Sequence, residues 1–213
     1  KNGSYMVLAP GLHHLTVCYW LRNTIDHPQV ISGIPSGTTE PIEGFIPQQI
    51  TINVEAGKIY DITADLKIPS YQGSEVQQPT VSNTANNPNV NECTWLASAG
   101  DPHWSDKILW VHNASQELYQ GGMWFKKLSV IAAEQGKSES YFKTISSDGN
   151  DYVTTALSTP VYNWYRPTTE GVPQKLSDCF FLPAAGARVA GAPMNVQGEG
   201  YYWSSSLVPS ALN

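Results

Sequence analysis

The residue types best suited to chemistry in this chain are aromatic. Trp104, Trp110, Trp124, Tyr162, Trp164, Tyr165, Tyr201, Tyr202 and Trp203 crowd its second half. A sugar lays its C–H face on such rings while a few placed polar groups fix its hydroxyls. Trp110, Trp124 and Trp203 lie inside apolar runs, which assigns them to a core. Trp104 and Trp164, with neighbouring Tyr165, fall at loop positions and read as exposed ligand contacts. Arg188, flanked by Gly186 and Gly191, has the reach to orient a ligand carboxylate, and a structural ion pair is the competing reading. In SSDGNDY, the side chains of Asp148, Asn150 and Asp151 offer hard oxygen donors on one loop, a pattern that can hold Ca²⁺ without following the EF-hand spacing. The same string is an ordinary turn sequence. No other cofactor is expected.

Other chemistries find weaker support. His103 and His112, with Asp101 and Asp106 nearby, follow no zinc spacing. His13 and His14 fall in a strand pattern and point to opposite faces. The Ser204-Ser205-Ser206 run lacks a nucleophile elbow, and no histidine or carboxylate stands at a spacing that nominates a triad. Cys18, Cys93 and Cys179 are each set among apolar neighbours, where a thiol behaves as a small hydrophobe, and an odd number implies no closed disulfide framework. Binding is therefore expected, with no catalytic residue assigned.

Composition narrows the partners. The 213 residues carry a formal charge of −6, only 14% charged residues and 41% hydrophobic ones. With no cluster of Lys or Arg, the chain lacks the electrostatic footprint that a phosphate backbone requires, which argues against nucleic acid. Abundant Gly, Pro, Ser, Thr and Asn favour sheets and long loops. No apolar run approaches the roughly 20 residues of a membrane helix. Because Lys1 opens the chain without an initiator Met, an upstream targeting segment that was cut away or never included is expected, and membrane attachment only through a lipid anchor on it.

The elements that must position these residues are mostly strands. HLTVCYWL alternates, and QITINVEAGKIYDITADLKI reads as a hairpin in which Ile50, Ile52 and Val54 turn at AGK and return along Ile59, Ile62, Leu66 and Ile68. Residues 32–48, rich in Pro and Gly, read as a loop or irregular edge. Residues 71–87 are polar and poor in aliphatics, so they divide a first unit, 1–70, from a second, 88–213. Val90, Cys93, Leu96 and Ala97 follow helical spacing, with Asn89 as cap and Gly100 as stop. KILWV reads as a strand, MWFKKLSVIA as a strand or mixed segment, and 138–145 as a short helix capped by Ser138. FFLPAAGARVAG and GEGYYWSSS each read as an apolar core strand tied to a Gly-rich turn. The fold class is α+β and rich in β.

Taken in order, PNVNECTW, GDPHW, LYQGGMWFKKLSVIA, SDGNDY, FFLPAAGAR and GYYWSSS resemble a C-terminal module of fimbrillin-like surface lipoproteins and adhesins of Bacteroidetes. That module is similar to the Fibrobacter succinogenes major paralogous domain, whose closing signature matches Leu182–Gly186 and Gly200–Ser205. The resemblance implies an α+β unit of C-type-lectin-like architecture at 88–213, a type of fold that often uses loops such as 148–151 for Ca²⁺. Residues 1–70 resemble part of a fimbrillin-like β-sandwich, shorter than the roughly 100 residues of a complete seven-stranded one. Members of the family continue for some tens of residues beyond WSSS, so a fragment, or a sandwich completed by a donated strand, is expected. The implied role is that of a non-enzymatic adhesin or fimbria (pilus) subunit at the cell surface or outer membrane. Its partners would be other pilin-type subunits, or a host or glycan ligand. A carbohydrate-binding surface lipoprotein outside any pilus is the alternative.

Overall fold

The computed structural model describes residues 6–22, 30–31, 34–35, 42–62, 67–71, 88–113, 116–155, 168–189, 192–194, 196–202 and 204–206. They form a sheet-rich α+β protein whose main sheet has seven strands, with three helices beside it. The β-rich α+β expectation holds at that level.

Strands β1 (Gly11–Arg22) and β4 (Glu43–Val54) are each 12 residues long and pair antiparallel along their full length, from Gly11 opposite Val54 to Arg22 opposite Glu43. Between them lies a two-residue ladder of β2 (Val30–Ile31) with β3 (Ile34–Pro35). β1 alternates half-buried and exposed residues without a break, the period of a strand with one covered face. This pairing corrects two sequence expectations. Glu43–Gln48 belong to a strand and not to a loop. Ile50, Ile52 and Val54 do turn near Ala56-Gly57, with Gly57 at φ +73°, but Lys58–Ile62 form no returning strand and Ile59 is 95% exposed. The partner is β1, because a 12-residue ladder satisfies far more backbone groups than a short returning segment could.

β6 (His103–His112) organises the rest. One edge pairs antiparallel with β7 (Leu118–Lys126), which pairs in turn with β9 (Cys179–Pro183). The other edge is met by three separate parallel segments. β8 (Thr169–Glu170) lies opposite His103 and Trp104, β4 touches at Phe45 opposite Ile108, and β5 (Ser70–Tyr71) lies opposite Val111 and His112. Phe45 packs with Ile108, Trp110, Phe181 and Ala185, while Ile42 and Ile46 join Leu109. Gly44 is required where β4 crosses β6, since a Cβ there would stand 2.3 Å from the Lys107 carbonyl oxygen. The β1–β4 ribbon is thus packed onto strands of the second half. Of residues 71–87, read as a linker, Tyr71 belongs instead to β5, and 72–87 lie outside the described residues.

The helices follow the sequence reading closely. α1 (Val90–Ala99) starts at Asn89 with a complete capping box, in which the Asn89 side chain accepts from the Glu92 N–H and the Glu92 carboxylate accepts from the Asn89 N–H. Gly100 ends it. MWFKKLSVIA is mixed: it finishes β7 and enters α2 (Leu128–Gln135), which closes on Gly136 at φ +62°. α3 (Glu139–Thr144) is capped by Ser138, whose hydroxyl accepts from the Tyr141 N–H. The three helices share a core of Ile131, Ala132 and Phe142, on which Trp95 stacks at 4.3 Å between ring centroids. The chain then passes a 3₁₀ turn (Leu176–Asp178) into β9 and a small hairpin of β10 (Ala187–Val189) with β11 (Ala192–Met194).

FFLPAAG is the expected strand and turn, with Gly186 at φ +64°. GEGYYWSSS is not a strand among its described residues. It contributes one bridge, Gly200 to Gly186, and leaves Tyr201 and Tyr202 at 55% and 49% exposure.

Candidate functional site: an aromatic groove on the sheet

Residues paired across neighbouring strands project to the same face. Glu170, Trp104, Met123 and Leu182 therefore form one row across β8, β6, β7 and β9, and Phe125 extends it along β7. The next row, His103, Trp124 and Phe181, projects to the opposite face, where Trp124 and Phe181 join the core. Trp104 thus stands on strand β6 and not on the loop expected for it, half-buried on the face away from the core, while the half-buried Trp124 packs against the core. Trp110 is 1% exposed and donates its indole N–H to the Gly121 carbonyl at 3.0 Å.

A second wall rises over the row at residues 198–202. It is held by a bulge. The β6–β7 register shifts between Ser105 and Leu109, where Gly121 on β7 adopts φ +90°. A side chain at Gly121 would stand 2.8 Å from the Gln197 carbonyl oxygen, so glycine lets the turn at 196–198 dock against the sheet. The docking bonds run from Gln197 N–H to Ala184 O (2.7 Å), from Gly186 N–H to Glu199 O (2.7 Å) and from Gln120 N–H to the Gln197 side chain (3.2 Å). The Tyr202 hydroxyl donates to the Pro183 carbonyl, and the Tyr201 hydroxyl donates to the Glu199 carboxylate. Burial, and then the neighbouring Tyr71 phenol, raises the Tyr202 pKa far above that of a free tyrosine, so it stays a donor at any physiological pH.

Row and wall enclose an open groove of about 1110 Å³. Trp104, Tyr201 and Tyr202 supply its aromatic surface, Met123, Phe125 and Leu182 its apolar floor, and Glu170 and Glu199 its charges. Rings edged by carboxylates and main-chain groups can stack the apolar face of a ligand and accept hydrogen bonds from its polar edge.

Of the ligand contacts expected from sequence, Trp104 lies in this groove. Trp164 and Tyr165 fall outside the described residues, as does Trp203. Arg188 is in β10, opposite Pro193. Glu170 and Glu199 carried no motif of their own. The signal that could have found Glu199 was its place in GEGYYW, two residues before a tyrosine it can hold.

The loop of Asp148, Asn150 and Asp151 is cross-braced. Asp148 accepts from the Ser146 and Tyr152 hydroxyls and the Asn150 N–H. Asp151 accepts from the Asn91 amide, the Val153 N–H and the Thr154 hydroxyl. Desolvation works to raise the Asp148 pKa, but the bonds from Ser146, Tyr152 and Asn150 outweigh it and hold the group at about 2. Through Asn91 the loop is tied to α1, where Asn91 is fully buried. Asp148 thus braces the turn from within, and Asp151 fastens it to α1 through Asn91.

The remaining candidates are dispersed. His103 and His112 stand at opposite ends of β6, roughly 30 Å apart at about 3.3 Å per residue. His103 approaches Asp101 at 3.7 Å. Among the described residues no group of three or more His, Cys, Asp or Glu is arranged to hold a metal ion. Cys18, Cys93 and Cys179 carry free thiols; Cys93 and Cys179 are half-buried, but Cys18 is exposed on the uncovered face of β1 and is not the buried hydrophobe its apolar neighbours suggest, while desolvation and then Glu92 push Cys93 up to about 11. The Ser206 hydroxyl accepts from the Val90 N–H at the start of α1, a structural task.

No protein-family model matches this chain, and no significant similarity links it to a curated protein or a solved structure.

Proposed function

We propose that the protein is a non-enzymatic binding subunit of the cell surface, a fimbrillin-like adhesin, and that it captures a glycan in the groove beneath Tyr201 and Tyr202. The observation that carries this reading is the convergence of Trp104 with two half-exposed tyrosines over one concave surface. Aromatic rings at that exposure would ordinarily be covered, and saccharides are the ligands for which flat, wet aromatic platforms are best suited. In this reading residues 88–213 act as the C-type-lectin-like contact module. The ribbon at 1–70 is the sandwich portion used in assembly. An outer-membrane or fimbrial location would come through an upstream lipid anchor.

The test is a glycan array on the purified chain, repeated with Trp104→Ala and Tyr201→Ala. Saccharide binding that weakens in both variants supports the reading. A folded protein that binds no sugar refutes it.

A second reading, assembly with pilin-type subunits, is favoured by β1. Its 12 residues pair with β4 on one edge, and no described strand covers the other. Such an edge can accept an extended segment from a neighbour. Mixing with candidate pilin subunits should then give detergent-resistant polymers. Glycan binding without polymers would instead indicate a surface lipoprotein that captures carbohydrate outside any pilus.

A further inference from the structure

We infer that the groove prefers saccharides whose rings carry an acetamido group over the same sugars with a plain hydroxyl in its place. This rests on the glycan reading above and adds the substituent by which the ligand is chosen. The row beneath the ligand has two unlike sides. It runs Glu170, Trp104, Met123, Leu182, one residue per strand across β8, β6, β7 and β9. Neighbouring strands lie about 4.8 Å apart, close to the width of a pyranose ring. A ring stacked on Trp104 therefore has the carboxylate-bearing strand under one edge and the Met123 strand under the other. Leu182 lies two strand spacings from Trp104, about 10 Å. Phe125, on the same face of β7 as Met123, widens this second side, and all three apolar side chains are half-buried and line the groove.

The two sides accept different substituents. Sugar hydroxyls can donate to the exposed Glu170 carboxylate. Over Met123, Phe125 and Leu182 a hydroxyl would give up water and meet only a thioether, an aliphatic chain and a ring, none of which replaces the lost hydrogen bonds. A methyl group gains there, and the adaptable Met123 side chain can close on it. An acetamido group suits that distance because it carries its methyl several bonds out from the ring, whereas a deoxy sugar holds its methyl on the ring, near Trp104. The amide N–H and carbonyl lie between ring and methyl at the open mouth, within reach of water. At about 1110 Å³ the groove slightly exceeds the usual range for small-molecule pockets, about 300–1,000 Å³, and so suits several linked rings.

The experiment is calorimetric titration of the full chain with a fully N-acetylated chitin tetramer and with cellotetraose. The two share linkage and length, both are neutral, and they differ only in the acetamido group that replaces one hydroxyl on each ring. The chitin tetramer should bind about tenfold more tightly, the scale on which an apolar site reads a small alkyl group. Met123→Gln, which keeps the side-chain length and adds a polar end, should reduce that ratio by about threefold, and Met123→Leu should retain it. Trp104→Ala should weaken both tetramers, and a urea midpoint for each variant shows that it folds. Equal binding of the two tetramers by the wild-type protein, or tighter binding of cellotetraose, overturns the acetamido preference and leaves glycan binding intact. A ratio that survives in a folded Met123→Gln overturns the placing of the methyl on this floor. Binding of neither tetramer, with other sugars bound on the array, also overturns the preference, and binding of no sugar at all removes the glycan reading itself.

Discussion

Trp104 and Tyr201 differ from the other aromatic residues by what lies over them. Trp110 is enclosed and hydrogen-bonded, whereas Trp104 faces an open groove. Trp104→Ala should therefore weaken ligand binding by about tenfold or more while shifting the urea midpoint little. The same truncation at Trp110 should lower stability by about 3–5 kcal/mol, as for other buried aromatic deletions. Gly122 marks the opposite extreme of space. A Cβ there would stand 2.2 Å from the Phe181 ring, so Gly122→Ala should destabilise by about 1–3 kcal/mol, read as a lower urea midpoint at unchanged slope. Asp148 sets an acid limit. Its carboxyl titrates at about 2 in the folded chain against an ordinary 3.8, so its contribution is complete above pH 3.8 and lost as the pH falls towards 2. Asp148→Asn should flatten the stability–pH curve in that window, by only a modest amount because the group is exposed to solvent.

Among the elements, α1 gives the sharpest expectation. Asn89→Ala removes the acceptor for the Glu92 N–H and the donor to the Lys143 carbonyl. The loss should be about 1 kcal/mol or slightly more by thermal or urea denaturation, with Asn89→Ser or Asn89→Asp retaining most of it. This helix was legible in sequence because capping is local chemistry. Asn89, Glu92 and Gly100 announce both ends within one short stretch, and Ser138 does the same for α3. The strand pairing was not legible in that way. Ile50, Ile52 and Val54 alternate as any half-covered strand does, and nothing local says whether the partner lies just ahead or, as at Leu15, His13 and Gly11, far behind. β1 won because its 12 residues complete the register. GEGYYW failed for a related reason. Its tyrosines look like core residues by composition, but the turn held by Gln197, at φ +70°, directs them over the groove and not into the sheet. Trp104 was singled out from its place in an expected loop, but it lines the groove as part of strand β6, and Glu170 joins it there only through its pairing with β6, which no linear pattern encodes.

For the whole molecule, Phe45 is the joint. It touches Trp20 on the ribbon at 5.0 Å between ring centroids and packs on the Ile108 and Trp110 core. Phe45→Ala should cost about 3 kcal/mol and loosen the ribbon from the rest, so that the single denaturation step expected of the wild type splits into two when followed by Trp fluorescence and circular dichroism. The three-part edge of β6 also orders events during synthesis. The ribbon emerges first and waits, its apolar side half bare, until some fifty further residues have been made and β6 can receive Phe45. β8 follows only after about sixty more, so the groove is the last feature to close and the nascent chain stays adhesive meanwhile. A holdase chaperone would protect such a chain, and yield in a host lacking that protection should fall more steeply with temperature than the stability of the finished protein predicts.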